Sequence, residues 1–124
     1  MLYPTLELVL PLLEKVGFRV RDHGLLDAAL ARPQATFGGV QLYDSFELQA
    51  AALVHSVIKN HPMIDGNKRS SWFVLGIFAS LNDMTVEATQ DEIVDFVLAM
   101  ATDELTLEDA ADWIARHLIV TSLG

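Results

Sequence analysis

The sequence contains no cysteine, so disulfides and thiolate metal sites are excluded and nothing argues for an oxidising compartment. It is also poor in cations: 8 Lys and Arg stand against 17 Asp and Glu, a net charge of −9. Neutralising nucleic-acid phosphates takes clustered Lys and Arg, so no nucleic-acid partner is expected. The longest apolar run, Trp72 to Ala79, carries Gly76 inside it and is far short of a membrane span, so no membrane association is expected. The opening Met1-Leu2-Tyr3-Pro4-Thr5 has no basic stretch like that of a secretory leader. These absences together lead us to expect a cytoplasmic protein.

What is present is enough to close a core. A chain of 124 residues that is 52% apolar is expected to fold as a single domain spanning residues 1–124. Its charge is uneven. Residues 1–82 hold seven acids and seven bases, whereas residues 83–124 hold ten acids and only Arg116. Any phosphate-binding site must therefore lie in the first two-thirds, where Lys59, Lys68 and Arg69 sit.

Helix signals dominate, and the pattern predicts an all-α bundle of about six helices with one small β-hairpin flap. Thr5 can cap a helix running to about Val16, with Gly17 just past its end; Pro11 should kink it or delay its start. A short helix from about Gly24 to Ala31 is ended by Pro33. Ala35, Phe37, Val40 and Leu42 alternate about Gly38-Gly39, which accept the positive φ of a tight primed turn. Asp44 with Glu47 resembles a capping box opening a helix from about Ser45 to Lys59, which Asn60 can end in the left-handed region. The next helix, from near Gly66 to about Leu81, is apolar nearly all round and reads as the central core helix. Thr89 with Glu92, and then Thr106, cap helices to about Thr102 and Leu118, with Trp113, Ile114 and Leu118 facing inward.

The stretch His61 to Arg69 is chemically unlike the rest. An imidazole, a carboxylate, an amide, an ammonium and a guanidinium fall within nine residues between two core helices. If a helix opens near Gly66, the unpaired N–H groups of residues 66 to 69 and the helix dipole form an anion site. Gly66 lets a phosphate approach the backbone, and Asn67, Lys68 and Arg69 add donors. Cations at a helix start are disfavoured by about 0.3–1 kcal/mol each, a local cost that points to a bound polyanion.

Asp65, beside that site, suits a Mg²⁺ shared with phosphate oxygens; a plain helix cap is the lesser alternative, and one carboxylate can serve both. His61 shares the loop with the phosphate donors, and an imidazole titrates near neutral pH, so it can take the proton of an attacking hydroxyl. His55 reads as a core or capping residue, and His23 and His117 as surface residues. A zinc site from His55, His61 and Asp65 is disfavoured, because a spacing of six leaves a helical face and Pro62 intervenes.

The run His61-Pro62-Met63-Ile64-Asp65-Gly66-Asn67-Lys68-Arg69 closely resembles the signature of the Fic/Doc superfamily. Fic proteins carry H-P-F-x-x-G-N-G-R-x-x-R, and the Doc branch, the death-on-curing toxins, carries H-x-F-x-D/N-A/G-N-K-R. Lys68, where Fic enzymes have glycine, marks the Doc form. The stretch from Gly24 to Gln34, followed by Phe37-Gly38-Gly39, is similar to the usual Doc lead-in.

The resemblance implies a compact helical Fic fold and a toxin of a toxin–antitoxin pair. Such a toxin moves the γ-phosphate of ATP to a threonine of elongation factor Tu and halts translation. It implies His61 as general base, Asp65 as the Mg²⁺-linked carboxylate, and Gly66, Asn67, Lys68 and Arg69 as the phosphate hole, with Lys68 among the catalytic groups. The flap at Phe37, Gly38 and Gly39 would guide the target backbone, and an antitoxin would dock a disordered tail that folds on the toxin. Met63 replaces the motif phenylalanine, Trp72 the second Fic arginine, and Phe73 a polar position of Doc toxins. Two other readings remain open at this stage: an adenylyltransferase of the same fold, disfavoured by Lys68 and Trp72, and a module that binds a nucleotide or partner without turnover.

Overall fold

A computed structural model describes residues 1–121 of the chain. Among them are six α-helices and two two-stranded antiparallel sheets, so the all-α reading with a small hairpin holds. Helix α1 (Leu6–Lys15) opens where Thr5 Oγ accepts from the Leu8 N–H. It runs through Pro11 without interruption, because Pro11 lies on the exposed face, where the carbonyl left without a partner can turn to water. It closes in a Schellman motif: Phe18 N–H donates to Leu13 O and Gly17 N–H to Glu14 O, with Gly17 at φ 98°.

Helix α2 (His23–Ala31) is capped by the Asp22 carboxylate on Leu25 N–H and continues as a 3-10 turn, Arg32–Gln34, that contains Pro33. The hairpin follows as expected, with β1 (Thr36–Phe37) and β2 (Val40–Gln41) joined by Gly38 and Gly39 at φ 58° and 80°. Both strands are exposed.

Helix α3 (Phe46–Asn60) departs from the sequence expectation at both ends. Its cap is Ser45, not Asp44: Ser45 is the extended residue, which places its Oγ on Leu48 N–H. Asn60 stays helical, its amide donating to Leu25 O, and the left-handed residue is His61. The central helix is also α3 rather than α4 (Asn67–Leu81). It packs against α2, the 3-10 turn, α4, α5 (Gln90–Ala101) and α6 (Leu107–His117). Its run Ala50 to Val54 is wholly buried, and the small alanines let neighbours approach from several sides. In α4, by contrast, Val74, Leu75 and Phe78 are buried while Trp72, Phe73 and Ile77 are only half-buried. A fully buried Phe such as Phe78 contributes about 2–3 kcal/mol of transfer free energy.

Thr89 and Thr106 cap as expected, Thr89 in a capping box with Glu92 and Thr106 in one with Asp109, a partner the sequence reading did not name. Two features of the last third were not expected. Helix α6 ends with Leu118 as its C-cap, as expected, but Leu118 also begins β4 (Leu118–Val120), which pairs antiparallel with β3 (Met84–Val86). His117 is not a surface residue. Its ring stacks on Trp113 at 4.0 Å between centroids, Trp113 stacks on Phe96 at 4.1 Å, and Trp72 meets both edge-on. The His117 imidazole also bridges Trp113 O at 2.7 Å and Glu92 Oε2 at 3.2 Å. Its spacing of four from Trp113 puts the two rings on one face of α6, which explains the burial.

Candidate active site

The loop between α3 and α4 is assembled from both sides. Helix α3 stops because Pro62 cannot continue it, and His61 takes φ 50°, ψ 54°, rare for a residue with a side chain. Pro62 O then accepts from two N–H groups of the α1–α2 segment, Arg21 at 2.8 Å and Asp22 at 3.1 Å. Val20 forms an isolated antiparallel bridge with Met63, and Ile64 N–H donates to Arg19 O at 2.9 Å. Met63 is buried in the core cluster, so this flexible replacement for phenylalanine still anchors the loop.

The far side of the loop is the N-terminus of α4. Gly66 precedes it at φ 77°, ψ 32°, and no side chain caps it. A Cβ on Gly66 would lie 2.9 Å from Arg69 Nη2 and 3.1 Å from Phe18 Cε1, so both backbone angle and space require glycine here. The intrahelical ladder starts with Ser70 N–H donating to Gly66 O. Of the four N–H groups expected to face a phosphate, that of Gly66 already donates to Asp65 Oδ1 at 2.8 Å. Those of Asn67, Lys68 and Arg69 have no acceptor among the described residues, and they form the donor set of the first turn.

The side chains divide the labour differently from the sequence expectation. The amide of Asn67 faces the loop: its Oδ1 accepts from Met63 N–H, and its Nδ2 lies 3.3 Å from Met63 O and 3.4 Å from His61 Nδ1. What Asn67 offers an anion directly is its backbone N–H. Lys68 is exposed and has no ionic partner among the described residues. Arg69 sits with its guanidinium 5.8 Å from the Phe18 ring centre and 4.0 Å from Asp65 Oδ2.

His61, Asp65, Gly66, Asn67, Lys68 and Arg69 line one open pocket of about 620 Å³, together with Ile58, Lys59, Ile64 and Ala101. Phe37, Gly38 and Gly39 do not line it; they stand on the exposed hairpin, where Phe37 is 79% exposed. Trp72 and Phe73 line a separate apolar groove between α1 and α4, about 440 Å³ in volume, that shares no residue with the polar pocket.

Lys59 is tied down: its Nζ donates to Asp103 Oδ2 at 2.8 Å and Ala101 O at 3.0 Å. That hydrogen bond holds the Asp103 carboxyl below its ordinary value, with the His55 ring, 3.5 Å away, helping. Sequence reasoning missed this wall and also Arg21, whose guanidinium donates to the carbonyl of His61. Neither shows any spacing signal, since their partners lie about forty positions away in the chain.

Asp65 can supply a divalent cation with one carboxylate only. Its side chain is 93% exposed, and among the described residues no three His, Cys, Asp or Glu side chains gather into a metal cage. Such a donor fits Mg²⁺ that arrives with phosphate oxygens, not a resident ion held by protein alone.

Residues 6–79 match the model of the Fic/DOC family, a span that ends within α4 and contains the whole loop. The chain is 41% identical over 108 residues to "Toxin Doc" of Mycolicibacterium smegmatis (strain ATCC 700084 / mc(2)155), covering 86% of this chain and 83% of that protein. It is 30% identical over 95 residues to "Protein kinase doc" of Escherichia phage P1, covering 77% and 74% respectively.

Proposed function

The chain belongs to the Fic/DOC family, and from that premise we propose that it is the toxin of a toxin–antitoxin pair. In this reading it acts in the cytoplasm as one domain, transferring the γ-phosphate of ATP to a hydroxyl of a translation factor similar to elongation factor Tu. The observation that carries the reading is the convergence on a single pocket of one imidazole, three backbone donors and a lysine, the donors and the lysine having no partner among the described residues.

Phosphoryl transfer asks a protein mainly for positioning and charge stabilisation. The N–H groups of Asn67, Lys68 and Arg69 bind the polyphosphate, with the Lys68 ammonium and Arg69 guanidinium countering its charge. His61 takes the hydroxyl proton as the oxygen–phosphorus bond forms and the bond from the γ-phosphorus to its bridging oxygen breaks, releasing ADP. Mg²⁺ bound with the nucleotide would be met by Asp65 and would neutralise developing charge on the phosphates.

Two features favour the γ- over the α-phosphate. Lys68 fills the position that is glycine in the AMP-transferring branch. Trp72, at the place of that branch's second arginine, packs against Phe96 and Trp113 and offers no cation. The phage relative's name, a protein kinase, supports the same choice. The hairpin at Phe37, Gly38 and Gly39 presents exposed strands for a target backbone, and an antitoxin with a tail that folds on binding is the proposed partner.

The test is transfer of label from ATP to purified elongation factor Tu. Label from the γ but not the α position is expected. Transfer of α-label would replace the kinase reading with AMP transfer, and no transfer from either would remove the transferase.

A further inference from the structure

We propose that Arg21 is a positioning residue of this site, holding His61 in its left-handed conformation; its importance for phosphoryl transfer rests on the function proposed above. The argument starts from the cost of that conformation. His61 carries a Cβ at φ 50° and is followed by proline, and a residue before proline is pushed toward extended backbone. Such a conformation persists only where its surroundings fix it.

Arg21 supplies the fixing contact from a different part of the chain. Its guanidinium donates to His61 O, and its own backbone N–H donates to Pro62 O at 2.8 Å. One residue thus grips two successive carbonyls and sets both peptide planes on either side of Pro62. The His61–Pro62 plane fixes ψ of His61 and the Pro62–Met63 plane anchors the turn behind it, and together they limit where the imidazole can stand relative to Asn67 and the α4 donors. A cation at the C-terminal end of α3 also suits the helix dipole. Arg21 has no carboxylate partner among the described residues, so nothing there competes for its guanidinium.

A residue serving only the fold would change stability and leave the ring alone. The experiment therefore reads the ring first, without nucleotide. Nitrogen NMR of the His61 imidazole is recorded in wild type, Arg21→Ala and Arg21→Lys, alongside thermal midpoints. We expect Arg21→Ala to shift the two ring-nitrogen signals toward those of a freely exchanging imidazole, and Arg21→Lys, which keeps one cationic donor, to lie between.

In steady-state transfer, Arg21→Ala should lower kcat about 10- to 100-fold, a loss of the size that follows misplacement of a reacting group, with KM for ATP changed less than about twofold. Guanidinium chloride at low millimolar concentration should restore part of that loss. If Arg21→Ala fails to fold, Arg21→Lys and Arg21→Gln carry the same comparison. Unchanged ring signals and unchanged kcat in a folded Arg21→Ala would overturn the assignment. Shifted ring signals in a protein whose wild type transfers no phosphate would support the positioning while removing the transferase, so the two failures separate.

Discussion

The side-chain amide of Asn67 grips the backbone of Met63 by both ends, Oδ1 at 2.9 Å from the N–H and Nδ2 at 3.3 Å from the carbonyl. The first residue of α4 thereby closes the loop that holds His61. Met63 N–H leaves Oδ1 on its own side, so Nδ2, a donor only, is the amide atom that faces the His61 ring. Asn67→Ala should lower stability by about 1–2 kcal/mol, the cost of a buried donor left without its acceptor, and reduce phosphoryl transfer more than ATP binding. Chemical denaturation and a kcat–KM comparison check it; equal loss in both kinetic constants would place the amide on the phosphate instead.

His61→Gly separates shape from chemistry. Glycine adopts φ 50° freely, so the variant should be as stable as wild type or up to about 1 kcal/mol more so, after allowing for the added freedom of its unfolded chain. Transfer should fall about 10²- to 10⁴-fold with the base gone, and ATP affinity should hold. Thermal unfolding with a binding isotherm and a turnover assay reads all three; retained turnover would end the assignment of His61 as base.

Gly66→Ala is expected to be costly in two ways. The new methyl meets Arg69 Nη2, which can swing aside, and Phe18 Cε1, a ring packed against the core, which cannot do so freely. With φ 77° added, destabilisation of about 1–3 kcal/mol is expected. Nucleotide affinity should drop about tenfold as the first turn of α4 shifts, measurable by calorimetry with and without Mg²⁺.

Acid should act through two carboxylates in the last third. Glu92 is held below its ordinary value first by its hydrogen bond from the Thr89 backbone and then by His117, and Asp103 by Lys59. For a carboxyl lowered on folding, the stabilisation is fully present above the unfolded-state value and is lost as pH falls through the folded-state value. The thermal midpoint should therefore fall from neutral pH down through the carboxylate range. Glu92→Gln should flatten that fall; an unchanged slope would show that the capping box is not what acid dissolves.

Asp103→Asn releases Lys59 into the wall of the polar pocket. An exposed ion pair is weak, so freeing Lys59 should tighten triphosphate binding by at most about fivefold. Binding measured at low and high salt tests this, since the gain should shrink as salt rises. A weaker affinity would mean that Asp103 holds Lys59 where the nucleotide needs it.

The sequence revealed most where a structural cause is local. Thr5, Thr89 and Thr106 were legible as caps because each bonds within its own first turn, and Gly38-Gly39 because a two-residue turn needs positive φ at both positions. The donor-bearing loop was legible for the same reason, since His61 to Arg69 is one continuous run. What escaped depends on distant partners. Strands β3 and β4 are three residues each, and Met84 to Val86 are uniformly half-buried, so no alternation marks them. Helix α3 did not stand out as central because Ala50-Ala51-Ala52 reads as weakly apolar, although small side chains are what permit close packing around it. Ser45 rather than Asp44 caps α3 because Ser45 is the extended residue just before the first turn, and composition does not encode that. Arg21 could not be read at all, its role appearing only when a bend forty residues on meets it.

The short ladder between β3 and β4 makes a closed circuit of the chain from residue 84 to residue 120, with α5 and α6 inside the ring. Neither helix can peel away alone without tearing that clasp. Amide protons of α5 and α6 should therefore exchange with solvent as one cooperative unit, set by the lifetime of three paired residues on each strand.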